Sequence, residues 1–186
     1  MKIATWNVNS VNARLPHLLK WLASAEPDVV CLQETKCVDE SFPYQELHDL
    51  GYYSAFYGQR SYNGVAIISK HEPKDVIKGL PDDDEESQKR LIAATINGVR
   101  IVDVYVPNGQ SLDSDKFQFK LDWLQRLRAF FDANYRTDEK VLLCGDFNVA
   151  PLAEDVWNPG AWEGFVRWTP SPALRPCLNL SPLWGI

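Results

Sequence analysis

The stretch LIAATINGVRIVDVYV, residues 91–106, gives the clearest local signal of the fold. Two runs of apolar and β-branched residues flank the dipeptide Asn97-Gly98, and Asn-Gly between such runs favours a type I′ turn. The stretch therefore predicts a β-hairpin.

A long helix and a buried strand are predicted after this hairpin. Between about residues 113 and 135, apolar side chains recur at three- and four-residue spacing and form one face. Lys120 is predicted to lie away from that face. The apolar run Val141 to Cys144 predicts a buried strand that ends at Gly145-Asp146.

A β-α-β unit is predicted at the start of the chain. Residues 2–8 form a short strand pattern, and Ser10 follows as a candidate helix N-cap. The leucine-rich helix stops at Glu26-Pro27, before a second apolar run at residues 28–32. Residues 51–57 and 64–69 predict two antiparallel strands. This order fits either two packed sheets with helices outside or one mixed sheet.

Composition places the chain among single-domain globular proteins of the cytoplasm. It has 186 residues, of which 45% are hydrophobic, and no segment has the pattern of a signal peptide or a membrane span. Its four cysteines, at positions 31, 37, 144 and 177, lack C-x-x-C spacing. Free buried thiols are therefore favoured over a zinc site.

The charge of the chain argues against a nucleic-acid partner. The formal net charge is −6, whereas nucleic-acid-binding proteins usually carry a basic face. The objection weakens if some carboxylates bind a divalent cation and others lie in surface runs such as residues 82–86.

The last residues differ in composition from the rest. No acidic residue follows Glu163, and four prolines interrupt the segment. We therefore divide the chain into a folded portion, residues 1–163, and an atypical Pro-rich tail, residues 164–186, which is predicted to be disordered or the product of a frameshift.

Polar residues follow several of the predicted strands. Asn7, Glu34, Asp146 and Asn148 each come at the end of an apolar run. Carboxylate and amide oxygens suit a hard cation such as Mg²⁺. Taken singly, such residues are also ordinary turn formers.

Four blocks carry a more specific signal: WNVN at residues 6–9, LQETK at 32–36, YVPNG at 105–109 and GDFN at 145–148. Together they resemble the exonuclease III family of apurinic/apyrimidinic endonucleases, within the DNase I-like endonuclease/exonuclease/phosphatase superfamily. The resemblance extends from Met1 to about Gly164. It implies an α/β fold in which two packed sheets are flanked by helices, here incomplete because the C-terminal part is missing.

The resemblance also implies roles for five of these residues. Glu34 would bind Mg²⁺ or Mn²⁺ directly, with Asn7 as an orienting or water-mediated partner. Asp146 would position the attacking water, Asn148 would donate to the scissile phosphate, and Tyr105 would contact that phosphate.

The implied substrate is double-stranded DNA, cut at abasic sites or trimmed at 3′ ends. Lys36, Arg90 and Asn108 would contact its phosphates, although a solvated surface position explains Lys36 equally well. The resemblance implies no membrane partner, and a complete domain is expected to be a monomer.

One family element is absent from the sequence. The catalytic histidine should follow Trp162 in a Ser-Asp-His motif, and no such motif occurs. We therefore expect impaired or no turnover. The alternatives are a non-catalytic remnant or DNA-binding module and, less favoured, another superfamily phosphatase. Such phosphatases usually carry Asn-x-His where this chain has YVPN at residues 105–108.

Overall fold

The computed structural model describes residues 1–150 together with Asp155, Trp157 and Asn158. The predicted tail, residues 164–186, lies outside this range, so the division at residue 163 stays a prediction. The described elements, in chain order, are β1 (Ile3–Asn7), α1 (Val11–Ala25), β2 (Val29–Gln33), a 3₁₀ turn (Asp39–Ser41), α2 (Tyr44–Asp49), β3 (Tyr53–Tyr57), β4 (Val65–Ser69), β5 (Lys74–Lys78), β6 (Leu91–Ile96), β7 (Val99–Tyr105), α3 (Asp115–Asn134) and β8 (Val141–Asp146).

The chain divides into two compact units. Unit 1 comprises residues 1–105 and 140–146, and unit 2 comprises residues 106–139 and, among the described residues, those from Phe147 onward. Both sheets belong to unit 1, whereas α3 belongs to unit 2. None of the helices in the described residues combines the length and apolar character needed to cross a membrane.

Unit 1 contains two four-stranded sheets, so the expectation of an α/β fold with two sheets is confirmed and the single mixed sheet is wrong. The first sheet has the order β1-β2-β4-β3, with β1 and β2 parallel and the remaining pairs antiparallel. The second has the order β5-β6-β7-β8, in which β7 and β8 are parallel.

The predicted hairpin is confirmed as β6 and β7. Ile96 pairs with Val99, so only two residues form the turn. Asn97 and Gly98 have φ values of 50° and 75°, as a type I′ turn requires. Strand β5 was not predicted, because its exposed sequence KDVIK lacks the apolar alternation of a half-buried strand.

Two hydrophobic clusters hold unit 1 together. One lies between the sheets and combines residues of β2 and β4, such as Val29 and Ile67, with residues of β6 and β7, such as Ile92 and Ile101. The other lies on the opposite face of the first sheet, where α1 packs. Helix α1 begins at the predicted cap, since the Ser10 hydroxyl accepts from the Ala13 N–H at 3.4 Å.

Strand β8 forms one edge of the second sheet in the described part of the chain, and all six of its residues are partly exposed. Exposed strand edges promote pairing between molecules. We therefore predict that the chain expressed alone forms aggregates in size-exclusion chromatography. A soluble monomer with one cooperative unfolding transition would refute this prediction.

Candidate active site

Four of the predicted site residues meet in unit 1, at the carboxyl ends of four strands. Asn7 and Glu34 stand at the ends of the parallel strands β1 and β2, and Tyr105 and Asp146 end the parallel strands β7 and β8 as a directly paired couple. Parallel strands bring the side chains that follow them to the same edge of a sheet. The packing of the two sheets then joins the two pairs.

Hydrogen bonds connect these four side chains. The Asn7 amide Nδ2 donates to Glu34 Oε1 at 2.8 Å and to Asp146 Oδ2 at 2.9 Å. The Tyr105 hydroxyl donates to the same Glu34 Oε1 at 2.8 Å. A single amide therefore bridges two carboxylates that come from different sheets.

The protonation of the site follows from these contacts. Partial burial alone would raise the pKa of Glu34, but hydrogen bonds from Asn7, Lys36 and Tyr105 outweigh it and hold that pKa below its usual value. Burial and the neighbouring Glu34 carboxylate raise the pKa of the Tyr105 phenol to about 12. At neutral pH the site thus holds an ionised Glu34 beside a neutral phenol donor.

The two basic residues predicted in unit 1 occupy different environments. Lys36 Nζ lies 2.8 Å from Glu34 Oε2, and both side chains are partly exposed. Arg90 is only 9% exposed, lies over the Tyr105 ring at 4.6 Å, and donates from Nη1 to the Tyr105 carbonyl at 2.9 Å. These contacts support Tyr105 from the interior, while the predicted contact of Arg90 with DNA phosphate stays a prediction.

The backbone around Glu34 is held in an uncommon conformation. Glu34 and Lys36 have φ values of 55° and 54°, in the left-handed region that non-glycine residues rarely adopt. The loop is fixed by hydrogen bonds from the Thr35 and Lys36 N–H groups to the carbonyls of Gly64 and Asn63, at 3.1 and 2.9 Å. Surrounding structure of this kind is needed to maintain such a conformation.

Gly64 is the tightest point of this loop. A Cβ added there would lie 2.0 Å from Thr35 Oγ1, and the φ of Gly64 is +90°. We predict that Gly64→Ala lowers the free energy of unfolding by about 2 kcal/mol more than Gly51→Ala. Gly51 is the matched control, because its φ is +84° and its added Cβ would meet nothing within 4 Å. Urea denaturation measures both losses, and equal losses would show that Thr35 does not constrain this position.

A buried polar pair that the sequence analysis did not identify lies beside the site residues. Gln33 Nε2 donates to Asp103 Oδ1 at 2.6 Å and to Thr5 Oγ1 at 3.0 Å. Gln33 and Asp103 come from different sheets and are 1% and 0% exposed. An acidic residue inside the apolar run of β7 was the available signal, because a buried carboxyl needs a partner.

The other two predicted site residues, Asn108 and Asn148, belong to unit 2. Asn148 is 8% exposed, and its Nδ2 donates to the Val106 carbonyl at 2.9 Å. Asn108 Oδ1 accepts from the Gln110 N–H at 3.3 Å. The roles of both residues toward DNA stay predictions.

The burial of Lys120 corrects the prediction that this residue lies away from the apolar face of α3. Its side chain is fully buried, not solvated, and Nζ donates to the carbonyl oxygens of Asn148 and Phe147 at 2.8 and 3.4 Å. Hydrogen bonds to these carbonyls help to satisfy the ammonium group, which explains how a lysine lies inside the protein. Lys120 thereby holds the backbone at Asn148.

We predict that Lys120→Met lowers the free energy of unfolding by about 2–3 kcal/mol, because it keeps the apolar stem but removes the buried hydrogen bond from Nζ to the Asn148 carbonyl. Lys116→Met is the control, since Lys116 is exposed on the same helix and its replacement is expected to change stability by less than about 0.5 kcal/mol. Urea denaturation of both variants tests this, and a small effect at Lys120 would contradict it.

The donor set of unit 1 fits a hard divalent cation. Glu34 and Asp146 present carboxylate oxygens to one shared amide group, and the Glu34 side chain is 18% exposed and therefore accessible to an ion. Mg²⁺ prefers such oxygen ligands and retains several waters. Glu34 would hold the ion directly, and Asn7 would orient it or bind its water.

Comparisons with known proteins place this chain in a family. Residues 4–180 match the model of the endonuclease/exonuclease/phosphatase family. Exodeoxyribonuclease III of Haemophilus influenzae is 35% identical over 162 residues, which cover 84% of this chain and 60% of that protein. The chain thus spans about 60% of the length of this curated relative.

Solved structures agree with the sequence comparison. An AP endonuclease from Archaeoglobus fulgidus superposes with a TM-score of 0.90 at 40% identity, covering 97% of this chain and 69% of that one. A 3′ phosphatase from Neisseria bound to a product DNA hairpin gives a TM-score of 0.91 at 42% identity, covering 98% and 71%. The chain therefore belongs to the endonuclease/exonuclease/phosphatase family, in its exonuclease III branch of apurinic/apyrimidinic endonucleases.

Proposed function

We propose that this chain carries the metal-binding and phosphate-binding part of a Mg²⁺-dependent DNA phosphodiesterase. The observation that carries the proposal is the Asn7 amide, which joins the carboxylates of Glu34 and Asp146 at 2.8 and 2.9 Å beside the Tyr105 hydroxyl. The related proteins described above, an exodeoxyribonuclease, an AP endonuclease and a 3′ phosphatase, support DNA as the substrate.

Each residue of unit 1 has a distinct task in this proposal. Glu34 would hold Mg²⁺ or Mn²⁺, and the bound ion would supply neutralisation of charge on the phosphate and the leaving oxygen. Asn7 fixes the orientation of both carboxylates. Asp146 accepts a hydrogen bond from the attacking water and positions it. Tyr105 stays protonated because its pKa is about 12, and its single hydroxyl proton, which is donated to Glu34 in this structure, turns to a phosphate oxygen when substrate binds.

The remaining residues contact the DNA backbone. Lys36 lies beside Glu34 and supplies a positive charge that attracts phosphate. Asn148 donates to the scissile phosphate, and Asn108 and Arg90 contact neighbouring phosphates. The substrate is double-stranded DNA with abasic sites or 3′ ends, the location is the cytoplasm, and turnover is impaired because the sequence lacks the Ser-Asp-His motif.

Binding of abasic-site DNA tests the proposal without requiring turnover. Fluorescence anisotropy with a labelled duplex is expected to show binding that depends on Mg²⁺, weakens as salt increases, and weakens at least about tenfold in Glu34→Ala. Inositol phosphates serve as competitors for the phosphatase alternative. Absence of DNA binding, or binding that is the same without Mg²⁺ and in Glu34→Ala, would refute the proposed function.

A further inference from the structure

Two thiols and a carboxyl lie together between the two sheets of unit 1. Cys31 of β2, Asp103 of β7 and Cys144 of β8 each place one potential ligand atom within 4.8 Å of the other two. These residues are far apart in the sequence, and the absence of C-x-x-C spacing had argued against a metal site. The packing of the sheets, which cysteine spacing does not reveal, brings them together.

The Asp103 carboxyl has one oxygen engaged and one oxygen without a partner. Oδ1 accepts the 2.6 Å hydrogen bond from Gln33, whereas the fully buried Oδ2 makes no well-formed hydrogen bond among the described residues. Burial raises the pKa of Asp103 well above its usual value, although Gln33 and the backbone N–H groups of Ala66 and Val104 act in the opposite direction. Buried carboxylate oxygens are almost always satisfied, so an orphaned one requires an explanation. A cation bound between Oδ2 and the two sulfur atoms supplies one.

We propose that Cys31, Asp103 and Cys144 form a binding site for a soft divalent cation such as Zn²⁺ or Cd²⁺. Thiolate sulfur with one carboxylate oxygen suits these ions and does not suit Mg²⁺. The site is therefore chemically separate from the oxygen ligands at Glu34 and does not depend on the proposed DNA chemistry.

The geometry requires only a small adjustment. Three atoms within 4.8 Å of one another leave a central point at most about 2.8 Å from each, so contraction by about 0.5 Å reaches the usual Zn–S distance. Water takes the fourth position, as in other sites with three protein ligands. The two thiols and the carboxyl bind as anions, and any protons they carry pass to solvent when the cation enters.

Neighbouring groups orient the ligands of this cluster, and one of the ligands is partly exposed. Gln33 holds Asp103 Oδ1 and is itself bonded to Thr5, so the carboxyl is fixed by a second layer of contacts as metal ligands usually are. Cys31 is fully buried, but Cys144 is partly exposed on β8, an edge strand in the described residues. Cys144 is therefore the most exposed of the three ligands.

Ultraviolet absorbance of cadmium–thiolate bonds tests the proposal directly. The reference protein is the full chain with Cys37→Ser and Cys177→Ser, which retains only the two cluster thiols. Cd²⁺ is expected to produce a charge-transfer band that saturates at one equivalent. Cys144→Ser is expected to abolish the band, and Asp103→Asn to weaken Cd²⁺ affinity at least about tenfold.

Glu34→Gln is the matched control, because removing a ligand of the oxygen site is expected to leave the cadmium band unchanged. Circular dichroism checks that each variant is folded. Cadmium NMR of the reference protein adds a measurement that needs no substitution in the cluster, and a shift typical of two sulfur ligands is expected. The absence of a band on the folded reference protein, a band that survives Cys144→Ser, or an oxygen-only shift would overturn the proposal.

Discussion

Glu34→Gln is expected to weaken Mn²⁺ binding at least about tenfold, because it removes a carboxylate charge from a site whose other ligands are mainly water. Glu34 is held ionised by three hydrogen-bond donors: its Oε1 accepts from both Asn7 and Tyr105, and its Oε2 lies 2.8 Å from Lys36 Nζ. Glutamine has almost the same shape, so the change tests charge more than packing. Electron paramagnetic resonance of free Mn²⁺ measures the dissociation constant of each protein.

Glu86→Gln is the matched control for this prediction. Glu86 is exposed in the acidic run at residues 82–86, which is a competing location for a cation. Its replacement is expected to leave the Mn²⁺ dissociation constant unchanged within about twofold. If Glu86→Gln weakened binding as much as Glu34→Gln, the ion would be held by the surface charge of the acidic run.

Cleavage of abasic DNA by this chain is expected to be at least about 10²-fold slower than by exodeoxyribonuclease III of Haemophilus influenzae under the same conditions. The site of unit 1 offers a metal ligand, a carboxylate and a phenol, but the sequence contains no Ser-Asp-His motif to supply the histidine and its paired carboxylate. Loss of such a pair removes general acid–base assistance.

A gel assay with an abasic-site duplex and Mg²⁺ measures this rate. Glu34→Ala, purified in parallel, shows how much of any cleavage comes from a contaminating nuclease. Glu34-dependent cleavage within about tenfold of the relative's rate would contradict the prediction and show that this chain supplies its own general acid–base groups.

Local sequence patterns predicted the elements that depend on neighbouring residues. The Asn97-Gly98 turn requires only two residues with positive φ, and the leucines of α1 require only helical spacing. Strand β5 and the burial of Lys120 were missed because each depends on distant partners. Lys120 is stabilised inside the protein by carbonyls at positions 147 and 148, which helical periodicity does not reveal.

At the site, too, sequence patterns identified individual residues but not the contacts that depend on distant partners. Asn7, Glu34, Tyr105 and Asp146 were identified from family blocks, and the structure brings their side chains within hydrogen-bond distance. The blocks do not reveal that a buried polar pair lies beside these side chains. Gln33 and Asp103 meet only because the two sheets pack face to face, and no local pattern encodes that pairing.

A crystal structure of the chain soaked with Mn²⁺ tests the central claim most directly. We predict an anomalous difference peak at the Glu34 carboxylate, at a distance of about 2.2 Å, with Asn7 and Asp146 beside it and the Tyr105 hydroxyl within reach of a bound phosphate. A peak confined to the acidic run at residues 82–86, or an arrangement in which these four side chains share no pocket, would contradict the assignment of this site.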